Sequence, residues 1–483
     1  MKKELKAAAW IYLALATLAV AFVTLLSNST SPLFGWYDNQ DSYVYQTIGK
    51  YWLQGLIPYR DLWDQKGPVI YLINAAGYGL TGTKTGVFLI QLAFMLATVF
   101  LMFRFYRIVL KPAYACLGVC FSLFCLYNLF AEGNHVEEYL LPFLVLAYYL
   151  QYLWIDRYSS DKDSAHNPWH AALYGFILAF SLFTRLTNAL GVCGGVALIA
   201  VLLLINGKYR NLCTNALAFI GGFAVLFVPV SLYFWWNDAF GDMWYGTLLF
   251  NMKYASHPIF GVGSDSTVSS LFRTYIDIYM CLATALLILF SRKKLVGVWM
   301  LSISVLLWLW LFNSHGFVHY GMLCVPYSCM IVTLACTELQ AQRNIVYKMS
   351  FVGILLIYVV MNVSKFFFVL PTSNMETDEE ILLNQIPADD YGAVVVYDMG
   401  PYLHLKYNMP PPYKFFTAQS LTLHLSQSEE HKDKILKEYA KLKARWIMLP
   451  KWSEEDCAIR SILDEHYERV RTSGKCILYK LKQ

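Results

Sequence analysis

Long apolar runs separated by short polar loops dominate the first 370 residues of the chain. The first run covers residues 7–26 and follows three lysines near the amino terminus, without a small-residue cleavage site behind it. Ten more runs lie at 85–103, 112–130, 139–155, 168–183, 189–206, 213–235, 271–290, 295–312, 321–338 and 349–370. Runs of about 20 apolar residues can cross a bilayer as α-helices. The pattern predicts a polytopic α-helical membrane protein with about eleven transmembrane helices, the first one uncleaved.

One short apolar stretch, at 69–82, is either another span or an interfacial helix that does not cross. Glycines at 77 and 79 interrupt it. If it does not cross, the basic clusters at 2–6, 104–111, 157–162, 208–210, 292–294 and 343–348 all share one side of the membrane. Because loops rich in Lys and Arg stay in the cytoplasm, we favour the interfacial helix. The amino terminus is then cytoplasmic, in the inner membrane of a bacterium, and residues after 370 are extracytoplasmic.

Composition separates this membrane body from the rest of the chain. Only 15% of the residues are charged, 57% are hydrophobic, and the formal net charge is +5. Soluble domains carry roughly 25% charged residues, so a soluble enzyme and a disordered chain are excluded. The last 113 residues hold 15 of the 38 Lys and Arg and 17 of the 33 Asp and Glu. We therefore predict a transmembrane body over 1–370 and a small α/β domain over 371–483. The basic residues flank spans, and we expect no nucleic-acid partner.

Residues 371–483 show the alternation of an α/β domain. Buried-strand runs lie at 393–397 and 446–449, an amphipathic helix at 429–442, another helix at 453–466, and a hairpin at 467–480 around a Ser-Gly turn. The segment has no glycine-rich phosphate loop. Cys457 and Cys476 lie in it, and an extracytoplasmic location would permit a disulfide between them. The other nine cysteines lie in apolar runs, as packing residues do.

The first outer loop, residues 27–84, holds the richest set of candidate functional groups. Asp38 and Asp41 precede a predicted helix over 42–53, and Arg60, Asp64 and Lys66 follow it. Placing a charged carboxylate at a membrane edge costs free energy. Such a carboxylate can accept a proton or hold a divalent cation. A lysine beside it can bind a phosphate. The alternative is structural, with Asp38 capping a helix and Arg60 in solvated ion pairs.

Other outer loops add acidic, basic and imidazole groups. Glu137 and Glu138 follow His135 at the start of a predicted span, where the helix dipole would also favour carboxylates without any function. Arg185 lies on the side where basic residues are rare, so it either binds phosphate or reaches toward lipid headgroups. A further His-Tyr pair, His319 and Tyr320, either binds a substrate or caps a helix.

Several residues of the first outer loop occur in an order that resembles a known family. Asp41, Tyr45 four residues later, the turn GLIPY at 55–59 and the segment DQKGP at 64–68 occur in that order after a basic-flanked span. This loop resembles the first outer loop of the GT-C glycosyltransferases, which include the protein O-mannosyltransferases and the aminoarabinose transferases of lipid A. The resemblance implies that Asp41 is the catalytic or metal-binding carboxylate. It also implies that Lys66 contacts the lipid phosphate and that Glu137 or Glu138 is a second acidic site residue.

The resemblance and the residues together predict a membrane glycosyltransferase. It would transfer a sugar from a polyprenyl-phosphate donor to an extracytoplasmic glycan, lipid or protein. The expected roles are catalysis by Asp41, Asp38, Glu137 and Glu138; phosphate binding by Lys66, Arg185 and Arg60; and substrate binding by Tyr45, Asp64, His135, His319 and Tyr320. Asp41 and Glu138 are also candidate ligands of a divalent metal cation. The alternatives are a flippase for lipid-linked saccharides, which needs charges inside the spans, and a scaffold that displays residues 371–483.

Overall fold

The chain folds into two compact units. The computed structural model describes residues 2–36, 40–130, 132–252, 275–312, 317–341, 343–366, 377–417, 429–442, 444–455 and 457–482. Unit 1 takes its described residues from 1–27, 88–230 and 258–370, and unit 2 from 28–87, 231–257 and 371–483. The first outer loop of the sequence analysis and the residues after 370 thus belong to the same unit.

Helices make up most of the described chain. In chain order they are α1 Lys2–Leu26, α2 Gln40–Trp52, α3 Pro68–Thr81, α4 Lys84–Tyr106, α5 Pro112–Tyr127, α6 Val136–Ser160, α7 Pro168–Leu182, α8 Leu190–Ile205, α9 Tyr209–Trp236, α10 Phe240–Trp244, α11 Ile276–Ile288, α12 Lys294–Phe312, α13 Pro326–Ala341, α14 Ile345–Lys365, α15 Asp378–Leu383, α16 Tyr402–Lys406, α17 Glu429–Leu442 and α18 Arg460–His466. Short 3-10 turns cover Leu186–Ala189, Val318–Cys324, Ala388–Ala393 and Lys451–Ser453, and one π-helical turn covers Tyr245–Leu249.

Several of these helices have the length and apolar composition of membrane spans. Six described helical segments qualify, and the bent pair Val318–Cys324 and Pro326–Ala341 would make a seventh. The six are Ala9–Leu26, Lys84–Tyr106, Leu186–Ile205, Tyr209–Trp236, Lys294–Phe312 and Ile345–Ser364. The chain is a mainly helical, multi-pass integral membrane protein. The count of eleven spans, the interfacial role of α3 and the orientation of the termini stay predictions.

A four-stranded sheet forms part of unit 2. Its strands are β1 Val394–Val396, β2 Trp446–Pro450, β3 Tyr467–Ser473 and β4 Cys476–Leu481, in the order β1-β2-β4-β3. The β1–β2 pair is parallel, and the other two pairs are antiparallel. These elements confirm the strands, the hairpin and the helix at 429–442 expected from sequence. The helix expected over 453–466 is wrong at its start, because α18 begins at Arg460.

Strands β1 and β2 are buried on both faces, whereas β3 at the edge of the sheet is mostly exposed, and residues from other parts of unit 2 cover the buried faces. Since strand side chains alternate between faces, Val395 packs in a cluster with Trp63 and Phe250, whereas Val394 packs in another with Tyr43 and Tyr78. The sheet and residues 27–84 therefore share a core. Cys457 belongs to the first cluster and Cys476 to the second, and both are free thiols.

Helices α7 and α9 of unit 1 approach so closely that a side chain would not fit between them. A Cβ atom at Gly222 of α9 would lie 1.9 Å from the carbonyl oxygen of Ala172 in α7. A Cβ atom at the neighbouring Gly221 would meet nothing within 4 Å. The contact therefore depends on the absence of a side chain at one position of a Gly-Gly pair and not at the other.

We expect Gly222→Ala to destabilise the protein by about 1–3 kcal/mol, because the added methyl group must push two helix backbones apart. Gly221→Ala is the matched control, and it should be neutral or stabilising by roughly 0.5–1 kcal/mol, the usual gain of alanine over glycine in a helix. Thermal unfolding of the detergent-solubilised variants measures both. Equal midpoints for the two variants would contradict the close contact.

Candidate functional site

The first group of candidate residues lies in unit 2, at the start of α2. Asp41 is in the first turn of this helix, where the positive end of the helix dipole favours a carboxylate. Tyr45 lies one turn further along the same face, since residues four apart are neighbours on a helix. Its hydroxyl donates a hydrogen bond of 3.4 Å to Asp41 Oδ2. The two residues singled out by the resemblance are thus in contact.

Two buried tyrosines hold the Asp64–Lys66 segment of the same unit. The hydroxyl of Tyr71 donates to Asp64 Oδ2 at 2.6 Å, and that of Tyr59 donates to the carbonyl oxygen of Lys66 at 2.6 Å. Both tyrosines are fully buried. Asn251 fixes the residue between them by donating to the carbonyl oxygen of Gln65 at 2.6 Å. The backbone that carries Lys66 is therefore anchored on both sides.

Charges in this group act on one another. Partial burial raises the pKa of the Asp64 carboxyl, the positive charge of Lys66 lowers it, and the negative charge of Asp41 raises it. Charged groups shift the pKa of a neighbour in this way only over short distances. Asp41, Asp64 and Lys66 consequently form one electrostatic cluster, which we call the loop cluster.

The remaining candidates of this loop differ in their surroundings. Arg60 forms an ion pair with Asp61 at 2.8 Å and also donates to the carbonyl oxygen of Asn237 at 3.1 Å. Its side chain is 42% exposed, as expected of the solvated pair that was the structural alternative. Asp38 lies outside the described residues.

The second group lies in unit 1, where α6 begins. The Glu137 side chain is 1% exposed, and its Oε1 atom accepts hydrogen bonds from Arg185 at 3.3 Å and from Asn188 at 3.5 Å. In the described part of the chain its Oε2 atom has no hydrogen-bond partner. A buried carboxylate oxygen without a partner is costly, so this atom is available to a proton, a cation or a substrate hydroxyl.

Aromatic rings enclose the cationic side of this group. The guanidinium carbon of Arg185 lies 3.5 Å from the ring centroid of Tyr320 and 4.9 Å from that of Trp310. Such cation–π contacts favour arginine when it is removed from water. Glu137, Arg185 and Tyr320, three residues nominated separately from sequence, are therefore brought together, and we call them the Glu137 cluster.

The imidazole rings of His135 and His319 stack in unit 1, with ring centroids 4.5 Å apart and an angle of 10° between their planes. Each ring offers a nitrogen ligand, and these nitrogens lie within 4.8 Å of one another. Neutral imidazole is the commonest side-chain ligand of transition metals. Because a nitrogen lone pair lies in the plane of its ring, two stacked rings do not both point at one ion, and one ring would have to turn for the pair to hold a divalent cation.

Glu138 is held by the protein itself. Its Oε2 atom accepts from the amide of Gln91 at 2.6 Å, and its Oε1 atom accepts from the backbone N–H of His135 at 2.9 Å. Ser27 in turn donates to Gln91 at 2.9 Å. This network orients the loop before α6, whereas Glu137 accepts hydrogen bonds from Arg185 and Asn188. The two glutamates, which sequence alone did not separate, thus differ in their hydrogen bonding.

The backbone of the same loop is in an unusual conformation. Glu132, Gly133 and Asn134 have φ angles of 72°, 83° and 65°, three consecutive residues in the left-handed region. A Cβ atom at Gly133 would lie 2.2 Å from Ser27 Oγ. Strained backbone of this kind occurs preferentially at functional sites, and here it immediately precedes His135 and Glu137.

Four residues that support these groups were not predicted from the sequence: Tyr71, Gln91, Asn188 and Trp310. Gln91 lies inside an apolar run, and a polar residue in such a run is a signal in its own right. Tyr71 and Trp310 carried no comparable signal, because tyrosine and tryptophan are common throughout this chain.

The chain is similar to several solved structures. No protein-family model matches the chain, and no curated protein sequence matches it. The oligosaccharyltransferase of Archaeoglobus fulgidus, in complex with Zn and sulfate, is 12% identical with a TM-score of 0.44, over 92% of this chain and 68% of that one. ArnT from Cupriavidus metallidurans matches over 98% of both chains. Its structure with undecaprenyl phosphate is 12% identical with a TM-score of 0.47, and its apo structure is 13% identical with a TM-score of 0.49.

Both proteins are GT-C glycosyltransferases, the superfamily that the first outer loop resembles. Because these TM-scores are below 0.5, the similarity carries no argument about function, and the function is inferred from the side chains of this chain.

We expect Arg185→Met to destabilise the protein by about 3 kcal/mol, because it leaves the Glu137 carboxylate buried without a counter-charge. The double variant Glu137→Gln/Arg185→Met should lose much less, since no uncompensated charge remains. Thermal unfolding in detergent compares the two. A single variant no less stable than the double variant would show that Glu137 is not paired as described.

Lys66→Gln should raise the pKa of Asp64 further, because it removes the positive charge that lowers this pKa. The carboxyl group would then protonate at a higher pH than in the parent protein. Infrared spectroscopy of the protonated carboxyl stretch during a pH titration measures the shift, and Asp64→Asn identifies the band. Lys414→Gln, which removes a lysine paired with Asp242 in the same unit, should leave the midpoint unchanged. An unchanged or lower midpoint in Lys66→Gln would rule out the loop cluster.

Proposed function

We propose that the chain is a membrane glycosyltransferase that takes a sugar from a polyprenyl-phosphate donor. The observation that carries the proposal is the loop cluster: two carboxylates and a lysine, named from the sequence as base and phosphate ligand, interact with one another in unit 2. A glycosyl transfer from a lipid phosphate needs these two functions together, a proton acceptor and a positive charge for the leaving group.

The proposed reaction is a displacement at the anomeric carbon of the donor sugar. The acceptor hydroxyl oxygen forms the new glycosidic bond, the bond between the anomeric carbon and the phosphate oxygen breaks, and the polyprenyl phosphate leaves with the bonding electrons. The carboxylate of Asp41 takes the proton of the acceptor hydroxyl. Tyr45 orients this carboxylate through its hydrogen bond.

Lys66 is the proposed ligand of the leaving phosphate. A lysine ammonium is a compact charge on a flexible stem, which suits a phosphate whose charge grows as the bond breaks. The backbone anchors from Tyr59 and Tyr71 support this role, because they fix the point from which the side chain reaches. Arg185 is a second candidate for the donor phosphate, positioned by Glu137 and the ring of Tyr320.

A divalent cation is part of the proposal. His135 and His319 would supply imidazole ligands to it, and the sequence also nominates Asp41 and Glu138. Bound, such a cation would neutralise phosphate charge as a Lewis acid. The backbone strain at 132–134 supports a ligand role for His135, because it fixes where that ring stands.

The acceptor is proposed to be a glycan, a lipid or a protein on the extracytoplasmic side of the inner membrane. This follows from the predicted orientation, which places residues 27–84 and 371–483 outside the cytoplasm, where nucleotide sugars are not made. The bilayer and the polyprenyl chain are then the surroundings of the apolar helices.

Asp41→Asn should lower the transfer rate by about 10²–10⁴-fold, because it removes the general base and keeps the size of the side chain. The assay follows transfer of a radiolabelled sugar from undecaprenyl phosphate to extracted cell-envelope acceptors in proteoliposomes. Asp61→Asn, which changes a partly buried carboxylate of the same loop that is paired with Arg60, is the matched control and should keep nearly full activity.

Full activity in Asp41→Asn would sink the catalytic assignment. Passage of the lipid-linked sugar across the vesicle membrane without any transferred product would favour the flippase instead. A divalent-cation chelator applied to the parent protein, and the variants His135→Ala and His319→Ala, separate the metal requirement from the role of Asp41.

A further inference from the structure

An open pocket in unit 2 takes no part in the proposed reaction. It has a volume of about 490 Å³ and lies at the turn between α9 and α10. Three aromatic side chains, one carboxylate and one glycine line it, namely Trp235, Trp236, Phe240, Asp238 and Gly241. The pocket therefore presents both aromatic rings and a polar group to a ligand.

This pocket lies at the end of a candidate membrane span. Helix α9 has the length and apolar composition of such a span and ends at Trp236. The side chains of Trp235 and Trp236 are 65% and 82% exposed. Tryptophans at the ends of spans lie at the level of the lipid headgroups, where an apolar ring with a polar edge is favoured. Phospholipid headgroups are therefore the groups that this pocket meets.

Asp238 occupies the left-handed position of the turn that ends α9. Its backbone N–H donates to the carbonyl oxygen of Trp235 at 3.2 Å, and the N–H of Ala239 donates to that of Phe234 at 2.9 Å. These are the two hydrogen bonds of a Schellman motif, in which glycine is the usual left-handed residue. The φ angle of Asp238 is 51°, and the negative end of the helix dipole disfavours a carboxylate there. The turn itself thus does not require an aspartate.

The carboxylate of Asp238 lacks the counter-charge that two neighbouring carboxylates have. Asp61 pairs with Arg60 at 2.8 Å, and Asp242 pairs with Lys414 at 3.5 Å. Asp238 is exposed and forms no ion pair with a residue that the structure describes. These five side chains carry three negative and two positive charges, so the surroundings of the pocket favour a cationic group over an anionic one.

A primary ammonium group matches both parts of the lining. A cation is attracted to the face of a tryptophan ring, and the N–H groups of a primary ammonium donate charge-assisted hydrogen bonds to a carboxylate. A quaternary ammonium has no N–H to donate. Of the common headgroup cations, the ethanolamine ammonium therefore fits Asp238 and its aromatic neighbours best.

Arg60 offers a partner for the phosphate of the same headgroup. It donates to the carbonyl oxygen of Asn237, the residue before Asp238, at 3.1 Å. Its Nε and Nη2 atoms donate to Asp61. Two of its five N–H groups are thus left without a partner in the described part of the chain. The side chain is 42% exposed, and a phosphate can approach it from solvent.

We propose that this pocket binds the headgroup of a phosphatidylethanolamine molecule from the surrounding bilayer. The ammonium group lies among the aromatic rings and donates to the Asp238 carboxylate, and the phosphate accepts hydrogen bonds from Arg60. The acyl chains extend beside α9. The lipid is a bound ligand and undergoes no reaction.

Native mass spectrometry of the full-length protein in detergent tests the site. The probes are phosphatidylethanolamine, phosphatidylcholine and phosphatidylglycerol with identical acyl chains, each titrated into delipidated protein. We expect phosphatidylethanolamine to bind about tenfold more tightly than phosphatidylglycerol, because only the former supplies an ammonium group. It should bind roughly threefold more tightly than phosphatidylcholine, whose quaternary ammonium donates no hydrogen bond.

Two substitutions with matched controls locate the binding. Asp238→Asn should weaken phosphatidylethanolamine binding about five- to tenfold and remove the preference over phosphatidylglycerol. Asp389→Asn, at an exposed carboxylate of unit 2 outside the pocket, should change neither. Trp236→Leu should weaken binding roughly two- to fivefold through the lost cation–π contact. Trp452→Leu, at a tryptophan that is 69% exposed and does not line the pocket, should have no effect.

Thermal unfolding in lipid-free detergent separates binding from folding. Asp238→Asn and Asp238→Gly should unfold at the same temperature as the parent protein or higher, because each removes a negative charge from the negative end of α9. A lower unfolding temperature in both variants would assign the aspartate to the fold and overturn the proposal. Equal affinity of the parent protein for phosphatidylethanolamine and either other lipid would also overturn it, as would an unchanged preference in Asp238→Asn.

Discussion

A charged side chain buried among apolar membrane helices is stable only when another group of the protein compensates its charge. This constraint explains the arrangement of the membrane helices around their polar residues. Glu137 has Arg185 and Asn188, and Glu138 has Gln91 and a backbone N–H. Removing either carboxylate from water would otherwise cost several kcal/mol. The start of α6 is thus joined to the loop after α7 and to α4 by its own charges. The apolar surfaces of these helices then pack around positions that the charges have fixed.

In unit 2 a shared hydrophobic core has the corresponding role. Trp63 packs on one face of the sheet and Tyr43 on the other, so the segments that carry the loop cluster pack against both faces of the sheet. Asp41 precedes Tyr43 by two positions, and Asp64 directly follows Trp63. Residues 371–483 therefore share a hydrophobic core with the segments that carry the loop cluster. This supplies a structural role for a region whose sequence contains no catalytic motif.

Sequence patterns predicted local elements well where local forces determine them. Helix α2, helix α17 and the hairpin of β3 and β4 follow from apolar periodicity and a Gly turn. The start of α18 could not be predicted, because Glu454 bonds Tyr479 and Arg469 in the sheet rather than the first turn of a helix. The pairing of Glu137 with Arg185 was equally hidden, since 48 residues separate them. Candidate residues were thus visible one by one, whereas their grouping required the fold.

The left-handed backbone at 132–134 also affects how natural variation should be interpreted. Any residue other than glycine at 133 brings a Cβ atom against Ser27 and adopts an unfavourable φ. A genetic screen would accordingly record position 133 as essential, although it carries no functional group. Its intolerance would be steric in origin, and an allele there would lose function while leaving every candidate side chain of the site in place.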